Sequence, residues 1–170
     1  ARVVLPAADP VAGTVMDLVK GWPGSPLVLD PRGVNADVAR ARKLAAFRAA
    51  DVALAASGTV SLELAAAETP MVIAYDLNWM TRQIAKVMVK IDTVTLVKLV
   101  TETRTVPEFL GIDCKPAAIA GALSDLLSDP VSREAQTTAM AETMKRLGQG
   151  GEAPGLRAAR AVLGGNQAAR

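Results

Sequence analysis

Between Asp51 and Tyr75 the chain reads DVALAASGTVSLELAAAETPMVIAY, and Ser57, Gly58 and Thr59 interrupt an apolar run there. A helix-like stretch and a second apolar run follow. In an open parallel sheet, ligands gather at the carboxyl ends of strands, and the triplet falls at such an end. Gly58 permits a positive φ and a close approach of backbone to ligand. The helix that begins after it turns unpaired N–H groups and the positive end of its dipole on the same spot. With the hydroxyls of Ser57 and Thr59 on either side, the turn can cradle a phosphate without a lysine. The same residues suit a capped strand–helix turn with no ligand. Neither GxGxxG nor GxxxxGK[ST] occurs, so dinucleotide-binding and P-loop machinery are unsupported and a mononucleotide or nucleotide-sugar is left.

Glu63 lies one turn into that helix, at the wrong offset to close a capping box with Ser57. A carboxylate there can accept from a ribose 2′,3′-diol while the turn holds phosphates. The alternative is a surface glutamate favoured by the dipole. Its neighbours Leu62, Leu64, Ala65 and Ala66 indicate a largely buried helix, where an unpaired carboxylate is costly. Further on, Arg82, Lys86 and Lys90 recur every four residues and form one stripe, with Trp79 at the start of the same stretch. A basic amphipathic helix with a leading tryptophan suits an anionic membrane surface. A packed helix with a solvated basic stripe accounts for it equally.

The elements that must position these residues alternate in type. Short apolar runs at Arg2–Leu5, Pro26–Leu29, Val52–Ala56, Met71–Tyr75 and Thr93–Val97 predict strands. Helical spacing predicts helices at Val11–Val19, Ala36–Ala49, Thr59–Ala67 and Asn78–Lys90, a short helical turn at Pro107–Leu110, and helices at Pro116–Leu127, Val131–Leu147 and Ala153–Leu163. Near-continuously apolar strands between helices indicate a parallel sheet covered on both faces. The expected fold is α/β, a Rossmann-like doubly wound parallel sheet over residues 1–130, with a helical C-terminal tail over 131–170.

The composition narrows the function classes. The 170 residues are 51% hydrophobic and 21% charged, an ordered globular chain. A net charge of +2 and 3% aromatics argue against nucleic acid. There is no histidine, which removes His-based triads, bases and metal ligands from these residues. The single cysteine, Cys114, cannot form an internal disulfide, which points to a reducing compartment. No apolar run approaches the roughly 18 residues of a membrane span. The chain opens ARVVLP, with a strand from its second residue, and is expected to be part of something longer.

The stretch Asp51–Tyr75, followed by VKIDTVTLVKLV and VPEFLGIDCKP, resembles the carboxyl-terminal half of lipid-A-disaccharide synthases, glycosyltransferases of the two-domain GT-B type. The resemblance implies that this half binds the donor nucleotide. The whole enzyme would join UDP-2,3-diacylglucosamine to 2,3-diacylglucosamine 1-phosphate, releasing UDP, with no metal or other cofactor. It implies diphosphate contacts at Ser57, Gly58 and Thr59, ribose contact at Glu63, and Tyr75 at the rim of the cleft. Glu108 in PEFL matches the acidic residue of a further family segment. The acceptor site and catalytic base are expected in an amino-terminal domain, so no catalytic residue is assigned here and the chain alone is expected to be inactive. The implied partners are that domain, the UDP-sugar donor, the acylated glucosamine phosphate acceptor and the anionic inner face of the inner membrane. The implied location is cytoplasmic and peripheral on that membrane, in a Gram-negative cell.

Two positions depart from the family pattern. Asp76 follows the tyrosine where a basic residue is common, and Lys98 stands where the family has an asparagine. A lysine meets a phosphate as a point charge but lacks the paired donor and acceptor of an amide. Other GT-B transferases, nucleotide-sugar epimerases, a non-catalytic nucleotide-binding module and a purely structural α/β domain share the strand–turn–helix plan.

Overall fold

In a computed structural model of the chain, residues 1–56, 58–76, 96–101, 103–152 and 154–165 are described. Strand β1 (Val4–Pro6) pairs in parallel with β2 (Leu27–Leu29), and helix α1 (Ala12–Val19) lies between them in sequence. Helix α2 (Ala36–Arg48) packs on both strands. Its cap is local: the Asn35 side chain accepts from the Asp37 N–H at 2.9 Å. A second parallel sheet has the order β3 (Ala53–Ala55), β4 (Met71–Tyr75), β5 (Glu108–Leu110). Helix α3 (Val60–Ala66) joins β3 to β4, and α4 (Leu96–Thr101) precedes β5. Helices α5 (Pro116–Ser128), α6 (Pro130–Arg146) and α7 (Pro154–Gly165) follow.

Strand β4 is the centre of the molecule. Met71, Val72 and Ile73 are each 0% exposed, and successive side chains on a strand point to opposite faces, so both faces of β4 are covered. Met71 and Ile73 join Leu64 of α3, Val97 of α4 and Met140 of α6 in one core. Full burial of each such side chain contributes roughly 1.5–3 kcal/mol. Val72 points the other way, and α5 packs on β4. The β1–β2 part is far less covered: Ala12 is the one buried residue before Asp51, and Leu18 and Trp22 are 65% and 51% exposed.

The strand–helix alternation and parallel pairing expected from the sequence are present, but among the described residues the strands form two sheets, β1–β2 and β3–β4–β5, where one was expected. Two further differences concern single elements. Glu108–Leu110 is a strand where a helical turn was expected. The Ile73 N–H donates to the Pro107 carbonyl at 2.9 Å, so an open edge of β4 captures this segment and overrides its local preference. Leu96 and Val97, expected to end a strand, lie in helix α4; residues 93–95 lie outside the described residues. A short apolar run is compatible with either state. Here burial of Val97 against α3 and α6 goes with the helix, and the Thr101 hydroxyl donates to the Val97 carbonyl at 2.8 Å. The expected helix Asn78–Lys90 lies outside the described residues.

Helix α6 reaches the sheet through a buried amide. Gln136 is 0% exposed; its Oε1 accepts from the Met71 N–H at 2.9 Å and its Nε2 donates to the Met71 carbonyl at 3.2 Å. Strand β5 begins opposite Ile73, so among the described residues Met71 has no strand partner on that edge, and the Gln136 side chain completes the ladder there. Replacing Gln136 by Leu keeps volume but strands two buried backbone groups. The expected loss is about 2–4 kcal/mol, read as a lower urea midpoint at unchanged m-value.

Candidate functional site

Strand β3 ends at Ala55, and the chain turns through Gly58 into α3. Gly58 has φ +124°, a conformation side-chain-bearing residues rarely adopt, and the space around its Cα is open. The turn is tightened by its own bonds. The Ser61 N–H and hydroxyl both donate to the Gly58 carbonyl, at 3.2 and 2.8 Å, and the Leu62 and Glu63 N–H groups donate to the Thr59 carbonyl. The amides of Ser61, Leu62 and Glu63 are thus spent inside the turn. Backbone donors for an anion are confined to the residues before Ser61, a narrower cradle than a helix start with all its first amides unpaired. Ser57 lies outside the described residues.

Glu63 projects from the first turn of α3 and meets Lys43 of α2: Nζ to Oε1 is 2.6 Å. This pair ties the helix packed on β1–β2 to the helix packed on β3–β4. Lys43 also lines an open cleft of about 340 Å³ at the carboxyl ends of β1 and β2, with Pro6, Asp9, Asp30, Arg40 and Arg42 around it. The loop after β2 is pinned by a forked contact. Arg32 Nε and Nη2 donate to the Asp30 carboxylate, the shortest contact being 2.7 Å, and the Arg32 N–H adds a third bond at 3.0 Å. The guanidinium, and then that backbone N–H, hold the Asp30 carboxyl down to about 2.

Of the other expected site residues, Tyr75 and Glu108 lie on neighbouring strands of the β3–β5 sheet, at the end of one and the start of the other. Tyr75 ends β4, is 41% exposed, and pairs in register with Leu110 at the end of β5. Glu108 is two residues further back, in register with Ile73 and half-buried. Lys98 is carried by helix α4, which packs on α3 and α6. Asp76 follows Tyr75 and is exposed. Trp79, Arg82, Lys86 and Lys90, expected at a membrane surface, lie outside the described residues. Among the described residues no helix is long and apolar enough to cross a membrane, and no group of His, Cys, Asp and Glu is placed to hold a metal ion.

The family model for Lipid-A-disaccharide synthetase matches residues 31–159. The chain belongs to the lipid-A-disaccharide synthetase family. Its relatives include a lipid-A-disaccharide synthase of Ruegeria pomeroyi, 60% identical over 162 residues, which cover 95% of this chain and 40% of that protein. Lipid-A-disaccharide synthases of Rhodospirillum centenum and Paramagnetospirillum magneticum are 39% and 40% identical over 95% of this chain. The chain spans about two fifths of the length of these relatives. The stretch matched to the lipid-A-disaccharide synthetase model starts at Pro31, in the loop that Arg32 anchors, and takes in Lys43, Gly58, Glu63, Tyr75, Lys98 and Glu108.

The cleft and Lys43 were missed by motif reading. DPRG after β2 was the available signal, since it sits at the carboxyl end of a parallel strand. No spacing rule joins Lys43 to Glu63, which are twenty residues apart on different helices.

Two outcomes are expected. Gly58→Ala should destabilise by about 1–3 kcal/mol through backbone strain alone. Gly121→Ala, within α5 with open space around it, should raise the thermal midpoint slightly. The second concerns pH. The folded-state value of Asp30 lies below the ordinary carboxylate value of about 3.9. Its contribution to stability is therefore present above about pH 4 and is lost as pH falls toward 2. Arg32→Ala should move the Asp30 carboxyl midpoint, followed by carbon-13 NMR, up toward the ordinary value.

Proposed function

We propose that this chain is the donor-binding part of a lipid-A-disaccharide synthase. It would take the nucleotide of UDP-2,3-diacylglucosamine while the sugar is transferred to 2,3-diacylglucosamine 1-phosphate. The observation that carries this is family membership over residues 31–159, with relatives named for that activity at up to 60% identity over nearly the whole chain. The geometry supports a division of labour within the site. The open turn at Gly58, with Ser57 and Thr59, meets the diphosphate. Glu63, at the start of the next helix, accepts from the ribose hydroxyls. Tyr75 borders the opening from the end of β4, with Lys98 and Glu108 contributing from α4 and β5.

The chemistry is direct displacement at the anomeric carbon with inversion. The acceptor's 6-hydroxyl forms the new bond as the bond to the UDP oxygen breaks, and its proton goes to a base that we do not place in this chain. Backbone dipoles at the turn favour the negative charge that grows on departing UDP. The enzyme works at the cytoplasmic face of the inner membrane, with the Trp79, Arg82, Lys86, Lys90 stretch toward anionic lipid.

Calorimetric titration of the intact gene product with UDP, ADP and inorganic pyrophosphate tests the donor assignment. UDP is expected to bind best, and Glu63→Ala to weaken it by about 10- to 100-fold, the scale of a hydrogen bond to a charged group. Equal, weak binding of all three ligands would reduce the turn to a generic anion site and overturn the assignment.

A further inference from the structure

The Glu63 carboxylate already has an occupant on one side. Lys43 Nζ donates to Oε1 at 2.6 Å, while among the described residues Oε2 accepts no hydrogen bond. Lys43 is itself held in place. Its ammonium lies 6.0 Å from the centroid of the Phe47 ring one helical turn on, and Phe47 packs against the core. Phe47 is further anchored through its carbonyl, which accepts from the buried Thr69 hydroxyl at 2.7 Å. A chain of contacts therefore runs from the core through Phe47 and Lys43 to one oxygen of Glu63.

The pair is 35% and 38% exposed, and ion pairs of that exposure contribute little to folding. Its effect on Glu63 is larger. A glutamate left to itself samples many rotamers, and ordering it when a ligand arrives costs affinity. A lysine bonded to one oxygen does that ordering beforehand and leaves the second oxygen for hydroxyl donors. Lys43 also lines the 340 Å³ cleft at the ends of β1 and β2, so the residue that holds Glu63 faces open space on its own side.

We propose that Lys43 is a positioning residue for ribose: it fixes Oε1 of Glu63 so that Oε2 accepts from the vicinal hydroxyls of a nucleoside diphosphate. This rests on the donor assignment above. Neither residue touches the reacting atoms, and Lys43 acts only through Glu63.

The test is titration of the intact gene product with UDP and with 2′,3′-dideoxy-UDP, which lacks both hydroxyls, for the native protein, Lys43→Met and Lys43→Arg. The native protein is expected to prefer UDP. Lys43→Met should weaken UDP about three- to tenfold, the cost of ordering one long side chain, and leave dideoxy-UDP unchanged. Lys43→Arg should restore much of the preference, because a guanidinium can hold the same oxygen. Thermal midpoints of the variants should stay within about 3 °C of the native protein, as expected for a half-exposed pair. A Lys43→Met protein that keeps the native preference overturns the role of Lys43 while leaving the donor assignment intact. Equal weakening of both ligands also overturns it, because the lysine would then act on the phosphates. A native protein that binds UDP without preferring it over the dideoxy compound removes ribose from Glu63, and Lys43 with it. Failure of the native protein to bind UDP overturns the donor assignment itself.

Discussion

The fold depends on how strand β4 is satisfied at its amino end. Its first residue, Met71, sits in the driest part of the molecule, and a backbone N–H and carbonyl there cannot be left without partners. Strand β3 serves one edge of β4; on the other edge β5 begins only opposite Ile73. Gln136 fills the gap with the one side-chain group that carries a donor and an acceptor in the spacing of a peptide. That contact locks α6 onto the sheet, and with α6 come Ala139 and Met140, which close the core over α3 and α4.

Helix α3 inherits its position from that core. Leu64 and Ala65 are buried against Met71 and Ile73, so the opposite end of the helix, with Gly58 before it and Glu63 in its first turn, is held at the end of β3. The far end is fixed as firmly. The Thr69 N–H donates to the Leu64 carbonyl and the Glu68 N–H to the Ala65 carbonyl, a Schellman closure in which Glu68 takes the left-handed conformation, φ 57°, usual for glycine. The strain at Glu68 is offset by the short return into β4 that it permits.

Each of the two sheets carries part of the candidate site. The β1–β2 sheet brings the Asp30–Arg32 fork and helix α2, and the β3–β5 sheet brings the turn and Glu63. The Lys43–Glu63 contact bridges the two helices.

Strand–helix alternation, parallel strand pairing, the location of Gly58 and Thr59 between a strand and a helix, and that of Glu63 in the first turn of that helix were legible in the sequence. They depend on local periodicity and on the conformational freedom of one glycine, properties that need no distant partner. The family likeness was legible for the same stretch, Asp51 to Pro116, because its motifs are contiguous. The strand character of Glu108–Leu110 and the helical state of Leu96–Thr101 were not, because short apolar segments take the state that their neighbours offer, here an open edge of β4 and a pocket between α3 and α6. Likewise the sequence could supply a carboxylate at Glu63 but not its partner. Lys43 reaches it only because two helices, each packed on its own strands, approach side by side, and such a meeting is decided by packing in three dimensions rather than by spacing along the chain.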